Sequence, residues 1–490
     1  MSRPTRSGLL LVASVVLAFA LRSLLLIDAT GLWSDELYSV GKSFQPSLLA
    51  LVSMLREDTH PPAYYGLLWV WGQLIGQSPI SLRLLSWCAY GLGGVVILVQ
   101  TAGLALERRV MRPLAVSIAA LLVFCSPYPI RFSLEGKSYA LLVLLVALAW
   151  FWRRVGRLLP YGLCVALAAL THFYGLFLFL AAALWDLARR RWGAAITASV
   201  AVIPAFCWIG YAAAYLFSSR SGSWIGPPDF ALLEDTLARS LGLWPLPKLA
   251  LLLLSFWGLR RWGGLRRHGS GIRSEGRLLA RSGLLDRSGL LPSLLMVLAV
   301  VLISFVKPLA FSRYFVVVLP ALVPWCAVQI ASFNWTGPAR WCGSALLMLM
   351  LISWWGPGFA ELGPSPSGSG VREQDQFAAV SRFTSGEPDR FTPRPRLFNL
   401  SDQMELAMGR IPPSPAPWQD TDDLDKRLRQ QPLPAQLWLA SSGPPSLIER
   451  RLQPSRRLLE QNRFLCEPVS EQFTHALVLR CQSSASPPPD

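Results

Sequence analysis

Charge is what this chain lacks most. Only 15% of its 490 residues are charged, where a soluble domain carries roughly a quarter. Hydrophobic residues fill 52% of the sequence and the mean hydropathy is +0.40. That balance excludes a disordered protein and an ordinary cytosolic enzyme, and points to a chain that crosses a bilayer many times. Histidines number four, and no two of the eight cysteines have metal-ligand spacing. No internal repeat is visible. Acidic residues are short as well, 29 against 46 Lys and Arg, for a net charge of +17.

The position of that excess decides its meaning. Up to residue 356 the chain holds 31 basic and 13 acidic residues; the remainder holds 15 and 16. The surplus therefore lies among apolar segments, where it sets orientation in a membrane, and not on a soluble face that would grip nucleic acid. Apolar stretches run over about 8–27, 82–104, 114–130, 138–152, 158–171, 173–188, 193–213, 246–259, 290–306, 314–330 and 341–356. These predict about eleven spans, several of them shorter than the roughly 20 residues of an upright helix. The stretch 61–76 opens on two prolines and reads as a juxtamembrane helix. With that choice 20 basic residues, including the Arg108–Arg109, Arg153–Arg154 and Arg189–Arg190–Arg191 clusters, fall on one side and 11 on the other. The positive-inside rule then places the N-terminus in the cytoplasm and the C-terminal tail outside. Residues 1–27 resemble a signal peptide, but Arg22 and Asp28 follow with no small-residue cleavage site, which favours an uncleaved first helix.

The expected organisation is a membrane core over 1–356, a Gly/Pro/Ser linker over 357–370, a small α/β domain over 371–484 and a disordered tail over 485–490. Residues 260–287 read as a flexible cytoplasmic loop. In the tail, 374–384 and 421–430 suit helices, the second with Thr421 as N-cap. Arg396–Leu400, Gln436–Ala440 and Ala476–Cys481 suit strands. Six cysteines lie in or near apolar spans as packing residues. Cys466 and Cys481 are the pair in the tail, and in an oxidising compartment they would form a disulfide.

Five polar groups fall on the external side by parity alone: Trp33 to Tyr38, Glu57 to Pro62, Arg131 to Tyr139, Thr171 to Tyr174, and Lys307–Pro308 with Ser312 to Tyr314. Ionisable groups at the bilayer are costly and read as functional by default. Asp35 with Glu36 would supply a general base beside a second carboxylate, or a helix N-cap. Arg131, Lys137 and Arg313 suit a lipid phosphate, or snorkelling to headgroups. Glu135 stands four residues after Arg131, so it would pair with it at a helix surface, or bind an acceptor or a metal. His60, held extended before Pro61, would bond a phosphate or a carboxylate, or serve structure, as would His172. Trp33, Tyr64, Tyr65, Tyr128 and Tyr139 fit an interfacial aromatic belt or a sugar-stacking surface.

In order and sidedness these elements resemble the C-type glycosyltransferases, and among them the bacterial relatives of protein O-mannosyltransferases and of the lipid A aminoarabinose transferase. The resemblance covers roughly residues 1–330. It implies a polytopic helical membrane core with juxtamembrane helices and an external C-terminal domain, in a bacterial-type inner membrane. It also implies transfer of a sugar from a polyprenyl-phosphate carrier to an external glycan, lipid or protein. Carried over by position, Asp35 is the catalytic base, Glu36 the acid beside it and Glu135 the second acidic position. Arg131, Lys137, Arg313 and His60 fall to the donor phosphate, and Tyr139, Tyr314 and His172 to substrate. Relatives commonly carry Arg where this chain has Lys137, which keeps the charge and loses the bidentate fork. The carboxylates leave room for a divalent metal ion without requiring one. A transporter or flippase of lipid-linked sugars, and a surface-glycan polymerase or ligase, are the rival readings.

Overall fold

The computed structural model describes residues 6–126, 130–218, 225–233, 236, 283–333, 337–354, 376–387, 389–413, 416–430, 434–443, 445–469, 473 and 475–484. The expected span 246–259, Tyr128, most of the 260–287 loop, the linker 357–370 and the tail 485–490 lie outside them. The chain divides into two compact units. The first comprises Met1–Leu25, Pro46–Leu68 and Arg83–Ala360, and the second Leu26–Gln45, Trp69–Leu82 and Glu361–Asp490.

The first unit is built of apolar helices. Among the described residues, Gly8–Leu26, Pro79–Glu107, Trp192–Tyr211 and Ser312–Ala331 are long and apolar enough to cross a membrane. Arg112–Phe124, Leu158–Thr171, Phe173–Ala188 and Leu290–Ser304 are apolar but shorter, and Tyr139–Val155 lies between Arg112–Phe124 and Leu158–Thr171. Leu10, Leu17, Leu21 and Leu25 of the first helix are exposed, as suits a face against lipid tails, because a helix satisfies its own backbone there. Its one buried hydroxyl is tied down: Ser23 Oγ donates to the Phe19 carbonyl at 2.6 Å and accepts from Trp87 Nε1 at 2.7 Å.

Two of these helices meet at a single residue. His172 closes Leu158–Thr171 and caps Phe173–Ala188 with an extended backbone, φ −159° and ψ 141°. Its Nδ1 accepts from the Tyr174 amide at 3.1 Å, satisfying one of the orphan donors at the helix start. The turn is tight enough that a Cβ at Gly175 would collide with the Ala168 carbonyl. Glycine is what lets the second helix fold back on the first.

The second unit carries a five-stranded mixed sheet in the order β2-β1-β3-β5-β4, with β1 Arg390–Thr392, β2 Gln419–Asp420, β3 Gln436–Ser442, β4 Phe464–Pro468 and β5 Ala476–Ser483. β1 runs parallel to β2 and β3; β5 runs antiparallel to β3 and β4. Phe391, Leu437, Leu439, Leu452, Leu459 and Leu479 lie in its core. Cys466 stands directly opposite Cys481 in the β4–β5 register, and the two are joined by a disulfide.

Arg396–Leu400 is not a strand. It lies inside the helix Pro395–Ala407, because Pro395 supplies the fixed φ of a first helical turn and the buried residues Leu397, Phe398, Ser401, Met404 and Glu405 recur at helical spacing. Thr421 is not the cap of its helix either; Asp420 is, its carboxylate accepting from the Asp422 amide at 3.0 Å.

Candidate functional site

In the first unit, the loops between helices bring three of the expected residues together around a fourth, His172. Its ring centroid lies 4.9 Å from that of Tyr314, 5.9 Å from Tyr139 and 6.4 Å from His60. Tyr174 adds a third tyrosine, 5.1 Å from Tyr314, and its hydroxyl donates to the Leu309 carbonyl at 2.8 Å. Burial pushes the His172 imidazole down to about 3, and the nearby His60 and Lys137 push the same way. His172 is therefore a neutral ring at physiological pH, a hydrogen-bonding group and not a cation.

His60 is oriented from its own loop. Asp58 Oδ1 lies 2.7 Å from its Nδ1 and accepts its backbone N–H at 3.0 Å. A carboxylate at Nδ1 fixes the orientation of the ring. Pro61 and Pro62 follow and start the helix Ala63–Ile75.

Beside this cluster opens a cavity of about 310 Å³. Its apolar wall is Phe173, Phe177, Ile209, Leu216, Phe217 and Leu309, and its polar rim is Thr59, His60, His172, Tyr174, Tyr314 and Lys307. Lys307 is exposed, donates to the Leu216 carbonyl at 3.1 Å and lies 5.5 Å from the Phe217 ring. Such a cavity takes a molecule with an apolar body and one anionic or polar end.

The other expected cations are placed differently. Arg131 Nε donates to Glu135 Oε1 at 2.5 Å, with both side chains almost fully buried. The pair does not sit on a helix surface: residues 132–138 form turns, and only at Tyr139 does the next helix begin. A desolvated pair of this kind holds only because each charge neutralises the other. Lys137 is buried in the same loop, its carbonyl accepting from Ser86 Oγ at 3.3 Å. Arg313 stacks over Phe311 with the guanidinium carbon 4.9 Å from the ring centroid.

Asp35 and Glu36 belong to the second unit, at the start of the helix Ser34–Ser43. They divide their work. Glu36 is fully buried and accepts the Trp33 backbone N–H at 3.3 Å, so it caps its own helix and favours the positive end of the dipole. Asp35, one residue earlier, is only half-buried. Among the described residues no group of three or more His, Cys, Asp or Glu side chains is arranged to hold a metal ion.

Lys307 and Tyr174 were not singled out from their sequence clusters, although parity placed both on the external side. Apolar neighbours from Phe173, Leu216 and Phe217 make Lys307 part of the cavity rim, and nothing in the local sequence announces that meeting.

No protein-family model matches the chain, and no curated protein matches it. Solved structures do. The crystal structure of ArnT from Cupriavidus metallidurans bound to undecaprenyl phosphate aligns with a TM-score of 0.55 at 14% identity, covering 99% of this chain and 100% of that one. The same protein in the apo state aligns with a TM-score of 0.54 at 14% identity, over 96% and 97%. The chain thus has the fold of these ArnT structures.

Proposed function

We propose that this chain, sharing the fold of ArnT, is an integral-membrane glycosyltransferase that uses a polyprenyl-phosphate sugar. The observation that carries this reading is the cavity of the first unit, apolar along Phe173, Phe177 and Leu216 and polar at His60, His172, Tyr314 and Lys307. A prenyl chain and its phosphate have that same division. The neighbour's crystal structure with undecaprenyl phosphate supports the choice of lipid.

The chemistry asks little of a general acid, because a lipid phosphate is a good leaving group. The acceptor hydroxyl attacks the anomeric carbon, the bond from that carbon to the phosphate oxygen breaks, and its electron pair stays on the phosphate. Inversion follows from a single displacement. The resemblance to C-type glycosyltransferases assigns the hydroxyl proton to Asp35; within the first unit, His60 and Lys307 hold the phosphate as its charge develops. Lys137 and Arg313 contribute positive potential, while Arg131 is neutralised by Glu135 and shapes the loop that carries Lys137. Tyr139, Tyr314 and the neutral His172 contact the sugar. The acceptor is an external glycan, lipid or protein, and the N-terminus lies in the cytoplasm of a bacterial-type cell.

The test is to incubate purified protein with radiolabelled polyprenyl-phosphate sugars and an extract of surface glycans and lipids. Sugar transferred to acceptor is expected, and none with Asp35→Asn inserted normally in the membrane. Movement of intact lipid-linked sugar across liposomes without release would overturn the reading in favour of a transporter.

A further inference from the structure

A small cavity of about 130 Å³ lies wholly within the second unit and shares no residue with the cavity beside His172. Its walls come from stretches far apart in sequence. The loop after the first helix gives Asp28 and Leu32, and the helix Phe377–Phe383 gives Ala378 and Arg382. The helix Pro395–Ala407 and the turn after it give Met404, Glu405 and Arg410. They meet because Pro395–Ala407 packs against both Phe377–Phe383 and Ser34–Ser43.

The cavity has a polar atom that the protein does not satisfy. Glu405 has only 3% of its side chain exposed, yet its Oε2 accepts no hydrogen bond from the described residues. Two cations stop short of it: Arg382 Nε lies 3.5 Å from Oε2, and Arg410 Nη1 lies 3.7 Å from Oε1. Arg410 donates instead to Asp28, from Nη2 at 3.3 Å. Burial pushes the Glu405 carboxyl up, against the pull of Arg382 and Arg410 and with the added repulsion of Asp28 and Asp402. A buried carboxylate oxygen left without a donor is costly, so the site favours a guest that supplies one.

The lining narrows the chemistry of that guest. Asp28 and Glu405 are balanced by Arg382 and Arg410, so the walls attract neither a cation nor an anion by net charge. An atom placed here must donate to Glu405 Oε2 and accept from the Arg382 N–H beside it. A hydroxyl does both; an ammonium only donates, and an ionised carboxylate or phosphate only accepts. Leu32, Pro79 and Met404 add an apolar patch that suits the C–H face of a ring. The volume is room for about four water molecules at ~30 Å³ each, enough for the hydroxyl-bearing edge of one ring.

We propose that Glu405, Arg382 and Arg410 bind a neutral sugar ring through adjacent hydroxyls, with Leu32 and Met404 against its C–H face. The site belongs to the unit that also carries Asp35, and its occupancy stands whether or not the proposed transfer reaction holds.

Saturation-transfer NMR on the full-length protein, in a detergent without a sugar headgroup, tests the site. The probes are the methyl glycosides of glucose, galactose and mannose. Binding of at least one is expected, with no displacement by equal concentrations of inorganic phosphate or ethanolamine. Glu405→Gln keeps the shape, removes the carboxylate acceptor and should weaken binding about tenfold. Ala378→Leu fills the cavity without touching its charges and should abolish binding while the thermal midpoint is kept. Absence of binding by all three glycosides, displacement by phosphate or ethanolamine, or undiminished binding in either variant would each overturn the proposal.

Discussion

The two ends of the first unit handle polarity in different ways. At one end the cavity is walled by rings: His172, kept neutral by burial, with Tyr174 and Tyr314 and, behind it, Tyr139, while the buried Arg131–Glu135 pair neutralises itself in the adjoining loop. The cavity measures about 310 Å³ and has a single exposed lysine, Lys307, at its rim. At the other end the buried groups are ions, with Arg153, Asp186 and Asp286 locked in mutual hydrogen bonds. Neutral hydrogen-bonding rings can exchange partners with a ligand at small cost. A saturated buried ion network cannot, since losing one member strands another charge in a low dielectric. One end is suited to binding and the other to holding helices together.

The sharpest way to break that contrast is at the ionic end. Asp286→Ala leaves both Arg153 and Arg191 with Asp186 as their one carboxylate, the latter at 3.6 Å. It should destabilise the protein by about 3–5 kcal/mol, read as a lowered thermal midpoint in detergent. An unchanged midpoint would show that the clasp is not structural. His172→Ala should do the reverse. Transfer is expected to fall roughly a hundredfold, about 2.7 kcal/mol of barrier, while the midpoint moves only by what a lost helix cap costs, about 1 kcal/mol. Steady-state kinetics and unfolding of the same preparation check both.

A milder change is expected at the rim. Lys307→Ala should raise the KM for the polyprenyl-phosphate donor about tenfold, or about 1.4 kcal/mol, with kcat nearly unchanged, because one exposed cation contributes to donor binding. A drop confined to kcat would contradict its place at the rim. A further effect is a slope. The His172 imidazole is held at about 3, below its ordinary 6.5, so between those values the unfolded chain binds the proton and the native one resists it. Stability is fully present above 6.5 and is lost as the pH falls toward 3. His172→Gln should flatten the thermal midpoint over that range, and a slope as steep as the parent's would remove His172 as its source.

Much of this was legible without coordinates, for reasons that lie in the bilayer. Apolar length and arginine placement put Lys307, His60, His172 and Tyr314 on one side, because charge cannot rest in hydrocarbon. The β4–β5 pair of Cys466 and Cys481 was legible from their isolation in the tail, away from the six membrane cysteines. Arg396–Leu400 was misread as a strand, since five residues carry too little periodicity to separate the two patterns. Arg131 and Glu135 were read correctly as partners and wrongly as a surface pair: i,i+4 spacing reveals contact, and burial depends on what else packs there.

The scarcity of charge and its distribution determined by themselves that the protein is a membrane chain of many apolar helices. They act locally, through the transfer of each segment into lipid. Tertiary structure alone decided which polar residues meet. Arg153 and Asp286 are 133 positions apart, and Tyr174 and Leu309 are 135. No local propensity encodes such encounters; they follow from how helices pack, and that packing separates a cavity with neutral walls from a clasp of ions.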